Sequence, residues 1–182
     1  GEVILIKARR GVGKTELLRA LEYYNIKNTK IGLGLIHLEE DNGTTVKAIA
    51  GYELEVPATL PDCGLSEEDV FNGYVKAVNN SDERVYLYTS FDRGNEDGLY
   101  NNIRFLAAVG CKLIVLDNLT WLTSGLYELN KVHKIDRLTT NLKALAKELR
   151  IAIIEIAHLN AAGAARGAGS IEFFCDTIIL LE

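Results

Sequence analysis

Two hydrophobic periods alternate along this chain. Continuous apolar runs at Val3–Ala8, Lys30–Leu38, Lys112–Asp117, Ile151–Ala157 and Thr177–Leu181 predict buried strands, and Arg84–Tyr88 adds a short alternating one. Between them, apolar residues three and four apart predict helices. Leu17, Leu18, Leu21 and Tyr24 mark the first, and Val46, Ile49, Ala50 and Leu54 mark one from Thr44 to Leu54. Pro57 and Pro61 interrupt the pattern. Ser66-Glu67-Glu68-Asp69 then supplies an N-cap hydroxyl and first-turn acids for a helix striped by Val70, Phe71, Tyr74, Val75 and Val78. Glu96–Val109 presents Leu99, Ile103 and Leu106 on one face and stops at Gly110, and Lys131–Leu149 is the longest helix expected. Strands alternating with helices imply right-handed crossovers and a mostly parallel sheet with helices on both faces, an α/β fold. Ligands of such sheets sit at the carboxyl ends of the strands.

The first predicted strand runs directly into Ala8-Arg9-Arg10-Gly11-Val12-Gly13-Lys14-Thr15, which fits a phosphate-binding loop if its first position can be Ala rather than Gly. Gly11 and Gly13 allow positive φ, so that backbone N–H groups turn toward an anion, and the helix that follows adds its positive N-terminal end. Lys14 is expected to reach the β- and γ-phosphates of a nucleotide such as ATP, and Thr15 to ligand Mg²⁺. Most glycine-rich turns between a strand and a helix bind nothing. The strand before, the amphipathic helix after and the Gly-Lys-Thr offset make this instance specific.

The size, 182 residues with 48% hydrophobic and 25% charged, suits one globular domain, residues 1–182, with a substantial core. The absence of methionine, and a strand that begins with no preamble, read as a domain cut from a longer chain. A formal charge of −5 argues against a bulk electrostatic grip on nucleic acid and leaves only local basic loops for that role. Three scattered cysteines form no metal or redox pair, which points to a reducing compartment. No apolar run is long enough for a bilayer span, so no membrane role is expected.

The polar residues that interrupt this apolar pattern fall at strand ends. Asp117 closes the fourth predicted strand, where a carboxylate can orient Mg²⁺ or simply cap a turn; beside a phosphate loop, the metal role is the stronger reading. Glu39 ends the second strand and could orient an attacking water, with Glu40 as its rival, because one residue of register turns a strand side chain the other way. His158 ends the Ile151–Ala157 strand, placed to sense a γ-phosphate if it is not merely structural. His37 and His133 read as structural or exposed. Glu155, inside an apolar strand, suggests pairing with a basic residue or a less buried face, and Arg166–Ser170 is a small basic loop.

In this order, these residues resemble the RecA-like motor domain of replicative ring helicases: the DnaB family, the helicase half of phage helicase–primases, and mitochondrial Twinkle. Ala8–Thr15 is similar to the family's phosphate loop, Leu38-Glu39-Glu40 to its catalytic-glutamate motif, Leu113–Leu119 to its metal-carboxylate strand and Ala157-His158-Leu159-Asn160 to its histidine motif. The most diagnostic match is Arg166-Gly167-Ala168-Gly169-Ser170-Ile171-Glu172 with Asp176–Glu182 behind it, similar to the family's DNA-facing loop and following strand. The resemblance implies a RecA-like P-loop NTPase fold and an ATP- and Mg²⁺-dependent DNA helicase that moves on single-stranded DNA as a hexameric ring. By it, Glu39 is the base, Lys14 and His158 act on the γ-phosphate, Asp117 and Thr15 hold the metal, and Asn160, Arg166, Gly167 and Gly169 meet DNA. It also implies a primase domain or partner and a location in bacterial or phage-infected cytoplasm or the mitochondrial matrix. Phe173 stands where family members often carry glutamine, the stretch from Asn160 to Arg166 is short and alanine-rich, and the chain stops before the family's arginine finger. The competing readings are a filament-forming recombinase and a nucleotide-gated regulatory ATPase that does not unwind DNA.

Overall fold

A computed structural model describes residues 1–9, 11–79, 84–88, 96–118, 121, 128–158 and 171–182. Six strands, β1 (Glu2–Ala8), β2 (Gly32–His37), β3 (Val85–Tyr88), β4 (Cys111–Asp117), β5 (Ala152–His158) and β6 (Thr177–Leu181), form one sheet in the order β3-β2-β4-β5-β1-β6. Every neighbouring pair is parallel, so all six carboxyl ends lie on one edge. The intervening helices are α1 (Lys14–Asn28), α2 (Asn42–Leu54), α3 (Glu67–Val78), α4 (Glu96–Ala108), α5 (Glu128–Leu149) and the short α6 (Ile171–Phe174).

Alternation along the strands assigns each helix to a face. Leu33, Leu35, Leu113, Val115, Ile154 and Ile156 pack with Leu18 and Ile26 of α1, Ile49 of α2 and Ala77 of α3. Ile36, Ile114, Leu116 and Ile153 pack on the other side with Leu99, Ile103 and Leu106 of α4 and Leu138, Leu142 and Ala146 of α5. The chain therefore leaves β1 and β2 over one face and β3 and β4 over the opposite one. A parallel sheet covered this way opens its binding crevice where the two directions diverge, at the carboxyl ends near β1.

The expected strands and long helices are present, with ends displaced by a few residues, but Thr177–Leu181, expected as a buried strand, is the exposed edge strand β6, and two helices bury a different stripe from the one their apolar residues suggested. In α1 the buried line is Lys14, Leu18, Glu22 and Ile26, at strict four-residue spacing, while Tyr24 is 60% exposed. A lysine and a glutamate sit on the inner face because each finds polar partners there, described below. In α3 the buried residues are Val70, Gly73 and Ala77, leaving Phe71 and Val75 outside. Gly73 lies so close to α2 that a Cβ on it would come within 2.7 Å of Leu54 Cδ1; contact is made through small residues, and the large ones turn away.

Among the described residues Glu155 has no basic partner, and it does not lie on an exposed face. It is fully buried in β5 on the α5 side, where Cys175 Sγ donates to its Oε1 at 3.3 Å and its Oε2 has no partner among the described residues. Burial pushes its carboxyl up to about 7, the Cys175 hydrogen bond offsetting only part of the effect. Beside it, β6 is tied to β1 by a reciprocal pair: Val3 N–H donates to Asp176 Oδ2 and Asp176 N–H to the Val3 carbonyl, both at 2.8 Å, with Lys143 also on Asp176.

The Glu155 carboxyl has a testable consequence. Its folded pKa lies above its unfolded value, so the folded state holds the extra proton, and stability declines as pH rises from about 4.5 through about 7. The loss amounts to up to about 3 kcal/mol. Glu155→Gln, neutral at every pH, is expected to flatten that decline and to be more stable than the parent at pH 8, measured by thermal melts across pH 4.5–8. A parent and variant that melt in parallel across this range would refute the buried proton.

Candidate functional site

The turn after β1 is shaped by two glycines. Gly11 has φ 84° and Gly13 φ 96°, and a Cβ on either would meet nothing within 4 Å, so the demand there is for backbone conformation, not space. Gly13 is the N-cap of α1 and, having no side chain, supplies no acceptor to the first amides of the helix, the arrangement in which a helix N-terminus can receive an anion. Lys14, 4% exposed, turns its ammonium back over the loop and donates to the carbonyls of Ala8 at 3.0 Å and Arg9 at 2.8 Å. Burial lowers its pKa and the charge of Asp117 partly offsets this. Thr15 and Val12 are exposed on the same turn. A cluster of N–H donors and one cation, with a hydroxyl beside them, is suited to a polyphosphate.

Asp117 ends β4, next to β2, where His37 is its register partner. Burial pushes its carboxyl up to about 6; His37 opposes this, and Glu39, Glu40 and Glu22 add to it. A half-buried carboxylate among three others is a poor lone anion and a good cation ligand. Among the described residues no group of three His, Cys, Asp or Glu side chains could cage a metal. That donor set fits Mg²⁺, which takes one or two protein oxygens and completes its shell with water and phosphate. Thr15 and Asp117 are the residues that would hold it.

The two glutamates after β2 are divided by their partners. Glu39 is exposed, and its Oε1 accepts from Asn118 Nδ2 at 2.8 Å, next to Asp117. Glu40 turns inward. Its Oε2 accepts from Arg19 Nη2 at 2.8 Å, while its Oε1 lies 3.0 Å from both His37 Nδ1 and Thr45 Oγ1. Burial alone would raise its pKa, yet the hydrogen bond and charge of His37, with Arg19 and Thr45, hold it down at about 2. His37 Nδ1 is also 2.8 Å from Thr45 Oγ1, and its Nε2 is 2.8 Å from Oε1 of the buried Glu22. Burial disfavours a charged imidazole, but hydrogen bonds to Glu22 and Glu40 push it up to about 10, so it is an imidazolium with an acceptor at each nitrogen. His37, expected to be structural or exposed, is the buried structural residue of this cluster, while the sequence assigned no role to Glu22, Arg19 or the Asn118 side chain. The available signal was His37 inside the apolar run of the second strand; Glu22 gave none, because amphipathic analysis assigns a glutamate to water.

His158 ends β5 beside Ala8 of β1, its backbone on the same edge; its side chain lies outside the described set. Arg10, Asn160, Arg166, Gly167 and Gly169 also lie outside the described residues. The structure therefore brings together Ala8, Arg9, Gly11, Val12, Gly13, Lys14, Thr15, Glu39, Asp117 and the end of β5 on one edge. A separate pocket of about 520 Å³, between α1, α2 and the loop from Glu55 to Leu60, includes none of the loop residues Ala8–Thr15.

Comparison with known proteins gives a consistent result. The family model described as DnaB-like helicase C terminal domain matches residues 1–181. The chain is 29% identical, over its whole length, to a DNA helicase/primase of Enterobacteria phage T3, of which it covers 35%, and 27% identical to the replicative DNA helicase DnaB of Leifsonia xyli, of which it covers 42%. It thus spans well under half of either relative. A solved KaiC-like protein from Pyrococcus horikoshii superposes with a TM-score of 0.71 over 99% of this chain and 70% of that one at 19% identity, a likeness of RecA-like fold alone.

The electrostatics of Asp117 can be tested directly. Because its folded pKa lies above its unfolded value, ionisation in the fold costs stability that is lost as pH rises from about 4 through about 6. In EDTA at pH 7.5, Asp117→Asn is expected to stabilise the protein by up to about 3 kcal/mol. Adding Mg²⁺ and nucleotide should then raise the melting temperature of the parent but much less that of the variant. A variant less stable than the parent in EDTA would instead mark Asp117 as a structural cap.

Proposed function

Because the chain belongs to the family of DnaB-like helicase C-terminal domains, we propose that it is the ATP-driven motor of a replicative DNA helicase, acting on single-stranded DNA as a hexameric ring. The observation that carries this reading is the division of polar groups along one sheet edge: a phosphate-suited loop with Lys14 at its centre, Asp117 at the end of β4, and Glu39 held outward beside it.

In this reading the amides of residues 11–15 and the Lys14 ammonium take the β- and γ-phosphates, exchanging the carbonyls of Ala8 and Arg9 for phosphate oxygens. Mg²⁺ at Thr15 and Asp117 supplies charge neutralisation on the phosphates. Glu39 orients the attacking water and accepts its proton, which its exposed position and hydrogen bond to a neutral amide permit; Glu40, already committed to Arg19 and His37, cannot serve. His158, at the end of the strand beside Ala8, would register the γ-phosphate and pass its presence toward Asn160, Arg166, Gly167 and Gly169, the loop assigned to the DNA backbone. Main-chain and arginine contacts to phosphates suit movement along a strand without regard to sequence. The phage relative named as a helicase/primase supports a primase domain or partner. No helix among the described residues is long and apolar enough to cross a membrane, and we place the protein with replicating DNA in the cytoplasm or its organellar equivalent.

Two substitutions in the full-length protein test the reading. Lys14→Ala is expected to weaken binding of a fluorescent ATP analogue by at least about 100-fold, since it removes a desolvated cation from the phosphates; unchanged affinity would remove the phosphate-loop assignment. Arg166→Ala is expected to weaken single-stranded DNA binding equally for all sequences and to reduce the salt slope by about one unit. An identical slope would leave that loop with no phosphate contact.

A further inference from the structure

The charged groups behind Glu39 form a closed circuit. It starts on α1 at Glu22, two helical turns beyond Lys14 on the same buried stripe, and passes from Glu22 Oε1 to His37 Nε2 at 2.8 Å. From His37 Nδ1 it continues to Glu40 Oε1 at 3.0 Å, with the Thr45 hydroxyl of α2 touching both. Glu40 Oε2 then returns it to α1 through Arg19 at 2.8 Å, and Arg19 is held in turn by Glu16 at 3.0 Å. Glu22 and His37 are 1% and 6% exposed, and Glu22 Oε2 and Arg19 Nε are buried with no partner among the described residues. Stability alone does not explain such a cluster, because buried ion pairs are commonly no better than apolar residues of the same volume. What it supplies is geometry. It joins the helix that begins with Lys14 and Thr15 to the residue next to Glu39, and it does so with short contacts of fixed direction at both ends of the imidazole.

We propose that His37, Glu22 and Glu40 are positioning residues for Glu39: by clamping Glu40 inward against α1 they hold Glu39 outward beside Asn118, at a set height relative to the phosphate loop. This rests on the reading that Glu39 serves hydrolysis. Without the clamp the two adjacent carboxylates compete for the outward position, and Glu39 loses its alignment while Lys14, held by the carbonyls of Ala8 and Arg9, stays as it is. Binding and turnover should therefore separate.

The test uses the full-length protein, saturated with single-stranded DNA, and reads kcat, KM and the affinity of a fluorescent ATP analogue for His37→Gln, Glu39→Gln and the double variant. His37→Gln is expected to lower kcat by about 10- to 100-fold, the penalty for a small misplacement of a reacting group, with nucleotide affinity within about threefold of the parent. In the Glu39→Gln background the same change should cost nothing further, since a positioning residue has no effect once its target is inert. A second variant, Glu22→Leu with His37→Leu, replaces the buried pair by apolar side chains and keeps the question open to refutation if His37→Gln does not fold; it should show the same loss of kcat. Parent-like kcat in either folded variant would overturn the proposal, and so would a His37→Gln loss of equal size in both backgrounds, which would leave Glu39 as the base but remove its clamp. Parent-like turnover in Glu39→Gln alone would instead overturn the assignment of Glu39, and the positioning proposal with it.

Discussion

Everything at this site follows from the parallel direction of six strands. Parallel pairing forces each connection to cross back over the sheet, and so every strand ends on the same edge. Residues far apart in sequence, from Ala8 through Glu39 and Asp117 to His158, become neighbours only because each is the terminus of a strand or lies just beyond it. The core that enforces this is divided between two faces by strict alternation: Leu113 and Val115 turn toward α1, and Ile114 and Leu116 toward α4 and α5. At the end of β4 the same alternation places Asp117 on the α1 side, with the phosphate loop. The apolar sequence thus decides which side of the sheet the chemistry occupies.

The second theme is the cost of the charges. Lys14, Asp117, Glu22, His37 and Glu40 all leave water to some degree, and the groups respond in different ways. Glu40 and His37 meet partners and stay ionised, one held well below and the other well above its ordinary range. Asp117 feels the His37 charge, but burial and three neighbouring glutamates outweigh it and push it the other way. The contrast separates groups whose charge is met by partners within the chain from one whose charge is not, and a carboxylate perturbed in this way at a strand's carboxyl end is where functional sites concentrate. Glu155 resembles Asp117 in its raised pKa but lies in the middle of a strand on the opposite face, where a thiol is its hydrogen-bond partner among the described residues. Its environment argues for a buried neutral acid.

How much of this could be read from the sequence depended on the range of the interaction responsible. The strands and long helices were legible because each is written in a local apolar period. The turn between β1 and α1 was legible because its glycines answer to their own φ angles, 84° and 96°, and to nothing distant. The buried stripe of α1 was not, because Glu22 goes inward only through His37, a residue on another element, and amphipathic analysis assigns a glutamate to water. The α3 stripe failed for a related reason: close approach at Gly73 decides the helix's rotation, and a hydrophobicity pattern gives glycine no weight. Glu155 was unreadable because its partner lies twenty residues on in chain order, across an element boundary. The short helix α6 has too few residues to show a period at all.

The adjacent glutamates show where local reasoning ends. On periodicity alone Glu39 and Glu40 are interchangeable, since the rule that successive strand residues face opposite ways does not say which faces the crevice. The structure breaks the tie through residues on other elements: Arg19 comes from α1, His37 from β2, Thr45 from α2, and all three converge on Glu40. Glu39 is left by exclusion with one neutral amide and the solvent. A carboxylate that is to take a proton must not already be held by cations, because each one lowers its basicity. The same contacts that make Glu40 unfit for that work make it fit to hold its neighbour still. On the proposed reading one dipeptide carries both the water-activating group and its support, and the sequence between Glu22 and Thr45 has to fold before the two glutamates can be told apart.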